Sequence, residues 1–339
     1  MKKFLITLLM IFAMPAMAAE TLNLYSWANY FPDKFLRQFT KDTGIRVNLS
    51  TFDSNEELYA KLKSLDGRAN YDLILPTTYI IPLLITNDLI EKFDRKRIKE
   101  FGEIDPFFKS KLSEQLRNYC IPMFWSSTAI VMNSKYHQNV NSWKDFWNKK
   151  YYHQLLLLDD MREVFGVALL KLGYSINETN PEHIKQAYEQ LIDLIPNIKL
   201  YNTDAIQPIY QDEDATIGMT WSTDIYFAMQ NNSNLQYIYP KEGFSIGLDT
   251  LVIAKNAPHR DAAYIFINYV MNAKHNAELV SQSKVATANI AAKQYLPTEI
   301  RESKVLYPSK DVLKHAELLS DVGDARKIYA HYWERLKLR

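Results

Sequence analysis

Between Thr21 and Leu336 the chain alternates short apolar runs with helical stretches, and this alternation limits the folds open to it. Thr21 to Ser26 reads as a strand, Pro32 to Thr43 as a helix stopped by Gly44, Ile45 to Phe52 as an alternating strand, and Asn55 to Ser64 as a helix. Tyr71-Asp72-Leu73-Ile74-Leu75 is a buried strand followed by the loop Pro76-Thr77-Thr78-Tyr79. Further strands are expected at 128–133, 154–158, 199–201, 217–221 and 248–254. Helices are expected at 143–148 behind Ser142, 161–172 closed by Gly173, 181–194, 259–271, 273–281, 291–295 and 323–336. Successive βα units imply an α/β fold with a mainly parallel sheet covered by helices. No linker separates two halves, so a domain boundary has to be crossed more than once.

The segment before Thr21 sets the compartment. Lys2 and Lys3 form a basic start, Phe4 to Phe12 an apolar stretch, and Ala16-Met17-Ala18 a small-residue cleavage site. This pattern is a secretory signal, with the mature chain beginning at Ala19. The apolar stretch falls short of the roughly 20 residues that span a bilayer. Cys120 is the only cysteine, so no intramolecular disulfide is available. About 320 residues remain of 339, a length that suggests two domains. The chain carries 40 basic and 39 acidic residues, and loss of Lys2 and Lys3 leaves a net charge of −1. That balance gives no basic field for nucleic acid, so any selectivity for cations has to come from a local site.

Ligands of α/β folds sit outside the carboxyl ends of the strands. Trp27 and Tyr30 follow the first strand, Thr77 and Tyr79 follow the strand at 71–75, and Trp221 ends the strand at 217–221. Aromatics in the first loop suit a cation or an apolar ligand face. Trp221 reads equally as a core tryptophan, and Tyr79 as a residue that closes a strand. Asp160 ends a strand and opens a helix, with Glu163 three residues later. The pair reads as an N-cap with its capping-box partner. It also reads as a cation site, in which two carboxylates outweigh the positive helix N-terminus. Arg162 between them either holds their geometry or faces solvent. Asp249 interrupts the apolar run from Ile246 to Val252 and needs a partner, which is a backbone N–H, an Arg or a ligand ammonium. Together these residues point to a secreted binding protein for a small organic polycation.

The same positions carry a family resemblance. Leu24-Tyr25-Ser26-Trp27-Ala28-Asn29-Tyr30, Tyr71 to Tyr79, Asp159-Asp160-Met161-Arg162-Glu163-Val164-Phe165, Gly218-Met219-Thr220-Trp221 and Ser320-Asp321-Val322-Gly323 occur in order at compatible spacing. In these segments the chain resembles the spermidine/putrescine-binding proteins of bacterial ABC importers, over about Thr21 to Lys337. The resemblance implies a two-lobed, type II periplasmic-binding-protein fold that closes by a hinge on a ligand in the interlobe cleft. It implies a first lobe of 19–131 plus 253–303, a second lobe of 132–252, and a C-terminal helical segment, 304–339, packing on the lobes. The chain would cross between lobes near Ile130 to Asn133 and near Leu251 to Ala254.

Site roles are also implied by the resemblance. Trp27, Tyr30, Tyr79 and Trp221 fall on an aromatic box. Asp160, Glu163 and Asp249 fall on ammonium-binding carboxylates, and Thr77 and Thr203 on hydroxyl-bearing pocket positions. The implied protein is a periplasmic monomer without catalysis, cofactor or metal. Its partners are a polyamine and the membrane permease of an ABC transporter. The chain departs from the pattern at Gly247, where spermidine-binding members carry a Trp, at Leu319, where they carry a Gln, and at Ala28, which replaces a hydroxyl residue. These departures keep the polyamine class and leave putrescine or another amine open beside spermidine.

Other readings are thinner. Gly243-Phe244-Ser245-Ile246-Gly247 matches the G-x-S-x-G pattern of a serine hydrolase that would use Ser245. That pattern requires a sharp strand-to-helix turn, whereas 248–254 continues as a strand. Tyr151-Tyr152 is similar to the paired tyrosines of ferric-ion binding proteins, with ordinary packing the simpler account. The seven His are scattered without metal-ligand spacing, and no phosphate loop or dinucleotide fingerprint occurs. A binding protein for another small cationic solute or a metal is the remaining alternative.

Overall fold

The computed structural model describes residues 20–65 and 70–339, and the expected signal segment lies outside them. Strand β1 (Thr21–Trp27), helix α1 (Asp33–Thr43), β2 (Arg46–Phe52) and α2 (Asn55–Ser64) come first, then β3 (Leu73–Ile74), α3 (Ile81–Thr86), β4 (Ile90–Glu91) and α4 (Pro106–Lys111). The long strand β5 (Ile121–Asn133) leads to β6 (Leu155–Leu157), α5 (Met161–Leu172), α6 (Pro181–Leu194), β7 (Ile198–Tyr201), α7 (Ile206–Gln211), β8 (Ile217–Trp221), α8 (Ser222–Asn231) and β9 (Leu235–Ile238). A second long strand, β10 (Phe244–Ala254), precedes α9 (Arg260–Met271), α10 (Ala273–Ser283), β11 (Ala286–Thr287), α11 (Thr298–Arg301), α12 (Lys310–Leu313), β12 (Ala316–Leu318) and α13 (Ala325–Lys337).

Local chemistry sets the boundaries that position the site. Helix α1 stops where Gly44 enters the left-handed region (φ 77°) and its N–H returns to Thr40 O. Helix α5 starts under the side chain of Asp160, which accepts from the Glu163 N–H, and stops at Gly173 (φ 85°). Helix α2 is capped in the same way by Ser54. The stretches expected to be helical at 143–148 and 291–295 are 3₁₀ turns, Trp143–Trp147 and Ala291–Tyr295.

The strand order is β2-β1-β3-β10-β5-β8-β6-β7. Strand β1 is parallel to β2 and β3, and β6 is parallel to β7 and β8. The expected parallel pairing is thus found in the two wings and in the short β10–β12 pair. Between the wings β5 and β10 run antiparallel to each other and to β8 and β3 respectively. These two strands pass directly from wing to wing, and an antiparallel pair needs no helical crossover. Strand β10 pairs with β5 as far as Leu251 and with β3 and β4 from Val252.

Helices cover both wings. Phe39 of α1 packs edge-on against Phe266 of α9 at 5.0 Å, and Phe165 of α5 against Tyr329 of α13 at 5.2 Å. The Tyr329 hydroxyl donates to Glu178 O (2.7 Å), which fastens α13 to the second wing. No helix among the described residues is long and apolar enough to cross a membrane.

Candidate cation-binding cleft

The carboxyl ends of β1, β3, β6 and β8 face one another across β5 and β10. Because side chains alternate along a strand, Ser245, Gly247 and Asp249 share one face of β10, and that face meets the loops. At one end Asp249 accepts from the Thr77 hydroxyl (2.7 Å) and the Tyr30 hydroxyl (2.8 Å). Burial pushes its carboxyl up to about 6, with the two hydroxyls and the Trp27 indole pulling the other way. Trp27 rests on Phe52 at 4.6 Å, and Tyr30 meets Phe124 edge-on at 5.4 Å.

The other end is built on the start of α5. Glu163 accepts from the Ser245 hydroxyl (2.5 Å) and the Trp221 indole N–H (3.4 Å). Its carboxyl therefore turns away from the helix start. Asp160 remains an N-cap (3.0 Å to Glu163 N), but the reciprocal half of the expected capping box is absent. Burial and the neighbouring Asp160 charge hold Glu163 well above the usual carboxylate range. Asp160 is also raised by burial, against its bonds from the Glu163 and Arg162 N–H groups.

Tyr79 closes the side of the cleft. Its hydroxyl accepts from Asn55 Nδ2 (3.2 Å) and donates to Glu56 (3.3 Å), while its ring faces the Arg162 guanidinium at 5.5 Å. Asn55 Oδ1 also accepts from Thr77 N (3.0 Å), so one buried amide sets two candidate residues. Thr203 lies in the turn after β7, where its hydroxyl contacts Asp204 (3.4 Å) rather than any of the other candidates.

The structure adds residues that sequence reasoning missed. Asp224, in the first turn of α8, is raised by burial to about 6, with the Gln207 amide at 3.5 Å. Its charge acts on Tyr30, whose hydroxyl donates to Asp249. A signal was present, because Asp224 follows Trp221 by three residues, the spacing of Asp160 to Glu163. Arg162 is 2% exposed and does not face solvent. It donates to Ser320 O (3.0 Å), Ile176 O (3.3 Å) and Asn177 Oδ1 (2.9 Å).

None of Asp160, Glu163, Asp224 and Asp249 forms an ion pair with a described Lys, Arg or His side chain. Such a cluster can be neutralised by protons or by an organic cation. No group of three or more His, Cys, Asp or Glu among the described residues is arranged to hold a metal ion. Ser245 lies inside β10, paired with Thr128 and Glu317, so the G-x-S-x-G match lacks its strand-to-helix turn. Leu319 is buried, and its N–H extends the β12 pairing to Ile246 O (2.9 Å).

Residues 34–318 match the family described as bacterial extracellular solute-binding protein, and the chain belongs to it. The spermidine/putrescine-binding periplasmic protein of Escherichia coli (strain K12) is 38% identical over 320 residues, 94% of this chain and 92% of that protein. The spermidine/putrescine-binding periplasmic protein 1 of Haemophilus influenzae is 36% identical, covering 95% of this chain and 90% of its own length. The solved spermidine/putrescine ABC transporter substrate-binding protein PotD of Streptococcus pneumoniae is 32% identical with a TM-score of 0.80, covering 94% of this chain and 99% of that one. The fold is that of the two-lobed periplasmic solute-binding proteins, with the cleft between the lobes.

Proposed function

We propose that this protein captures polyamines, putrescine or spermidine, in the interlobe cleft and delivers them to the membrane permease of an ABC importer. The observation that carries this reading is the cluster of buried Glu163 and Asp249 with half-buried Asp160 and Asp224, without a cationic side-chain partner among the described residues and set among aromatic rings. Asp249 and Asp224 would take one ammonium, Glu163 and Asp160 another. Trp27, Tyr30, Tyr79 and Trp221 would pack on the methylenes, with each cation–π contact adding roughly 0.5–2 kcal/mol. Thr77 orients Asp249, and Thr203 belongs to the rim.

The names of the relatives support this ligand class. In the same reading the protein is a periplasmic monomer, released by cleavage before Ala19, with no catalytic role. The lobe division at 19–131 plus 253–303 and 132–252 is supported by the change of β10 partners between Leu251 and Val252. Titration calorimetry with putrescine, spermidine and spermine, on protein stripped of ligand by refolding, tests the proposal. At least one amine should bind saturably. No heat and no thermal shift with any of them rejects it, and native mass spectrometry of the unstripped protein would then identify a different solute.

A further inference from the structure

Gly247 lies midway between the two acidic ends on the ligand face of β10. Ser245 and Asp249 are four residues apart, roughly 14 Å at about 3.4 Å per residue. Residue 247 is the only position of β10 that is not buried. Its backbone does not take a left-handed φ, so conformation does not require a glycine there. A Cβ at this position would meet nothing nearer than Ser126 Oγ at 3.7 Å and Thr77 Cγ2 at 3.9 Å. Ser126 stands opposite Gly247 in the β5–β10 pair and is only 8% exposed. Its hydroxyl makes no hydrogen bond with the described residues and is not among their fully buried polar atoms, so it opens toward the space beside Gly247. The missing side chain therefore leaves a slot with one methyl wall and an unpartnered hydroxyl at its side.

We propose that this slot is a side pocket for a polar branch near the middle of the ligand, so that the protein accepts aliphatic diamines bearing a mid-chain hydroxyl. The proposal rests on the polyamine reading of the cleft and adds a substituent class to it. A hydroxyl can both donate to and accept from Ser126 and brings no charge to a point between the two acidic ends. The Thr77 methyl shields the other side, while its hydroxyl stays on Asp249. A large side chain at 247, such as the Trp of the spermidine-binding pattern, would close the slot.

Calorimetry with putrescine and 2-hydroxyputrescine on the parent, Gly247→Val and Ser126→Ala tests this. The readout is the ratio of the two affinities in each protein. Valine suits a strand and fills the slot, so Gly247→Val should lower the affinity for the hydroxylated diamine relative to putrescine by about tenfold or more. Ser126→Ala should lower the same ratio by about threefold. An unchanged ratio in both variants overturns the proposal, as does a parent that binds putrescine but not its hydroxylated analogue. Should the valine fail to fold, Gly247→Ala replaces it, because its Cβ meets only ordinary van der Waals neighbours. A parent that binds neither amine overturns the polyamine reading itself, and the slot falls with it.

Discussion

Asp249→Asn separates a binding carboxylate from a structural one, because the two roles move stability in opposite directions. Asp249 is 4% exposed, and burial raises its carboxyl from 3.8 to about 6. Holding it ionised at pH 8 thus costs the free protein about 3 kcal/mol. The sign follows from the raised folded value. The neutral form suits the fold, so this contribution is fully present below about pH 4 and is lost as pH rises through about 6. Asparagine removes the charge and keeps one acceptor for Thr77 or Tyr30. Its amide faces the other hydroxyl, which can turn to accept, at a mismatch of about 1 kcal/mol.

The free variant should therefore gain about 2 kcal/mol at pH 8 and lose up to about 1 kcal/mol at pH 4, where the parent carboxyl is already neutral, so its melting temperature rises by a few degrees at pH 8 only. Binding should move the other way. An ammonium deprived of its buried partner loses about 2–5 kcal/mol, so Kd rises about thirtyfold or more. Scanning calorimetry at both pH values, with titration of putrescine at pH 8, reads both effects. A variant that melts below the parent at pH 8 and binds putrescine within about threefold would make Asp249 structural and refute the reasoning.

The same carboxylates set a pH dependence. Putrescine affinity should fall from pH 8 to pH 5, because Glu163, Asp224 and Asp249 are raised and their protons compete with ammonium; binding near pH 6 should release protons, read as a buffer-dependent enthalpy. Asp224→Asn should weaken putrescine by about tenfold or more while Thr203→Ala stays within about threefold, and calorimetry giving the reverse order would move the site toward the rim. With Gly247 and Leu319 in place, any spermidine advantage over putrescine should be small or reversed. A preference for spermidine above about a hundredfold would show another residue supplying the missing contacts.

The helices that close on clear chemical signals were legible. Met161–Leu172 sits between Asp160 and Gly173, and Pro181–Leu194 starts on a proline after Asn180, as its sequence indicates. The first half of β5 was not, because Pro122 and Ser126-Ser127-Thr128 break its apolar pattern. Pairing with β10 on one side and β11 on the other makes it a strand. Helix α8 begins directly behind Trp221, with Trp221 at its N-cap and no side-chain cap to mark the start, so nothing in the local sequence assigns Asp224 to a helix. The seat of Glu163 has no local signal, since its partner Ser245 is 82 residues away.

Arg162 explains how an acidic cleft can contain a buried cation and still leave its carboxylates unpaired. A guanidinium beside Asp160 and Glu163 would be expected to pair with them. Here its two terminal nitrogens donate to two backbone carbonyls, Ser320 O and Ile176 O, and to Asn177 Oδ1, while Nε has no partner among the described residues. Asn177 is itself fixed, accepting from Ser320 N (2.9 Å) and donating to Leu318 O (2.9 Å). The rigid fork of an arginine suits such fixed acceptors, whereas a lysine ammonium on a flexible stem could swing to the carboxylates. Arg162 thus acts on Asp160 and Glu56 through its field, which opposes the upward shift that burial gives both carboxyls without neutralising either by an ion pair. It lies over the rings of both Tyr79 and Tyr329, at 5.5 and 5.6 Å. Ser320 and Tyr329 of the C-terminal segment, with Ile176 and Asn177, therefore hold the Arg162 guanidinium in place, and the carboxylates keep their capacity for a cation from outside.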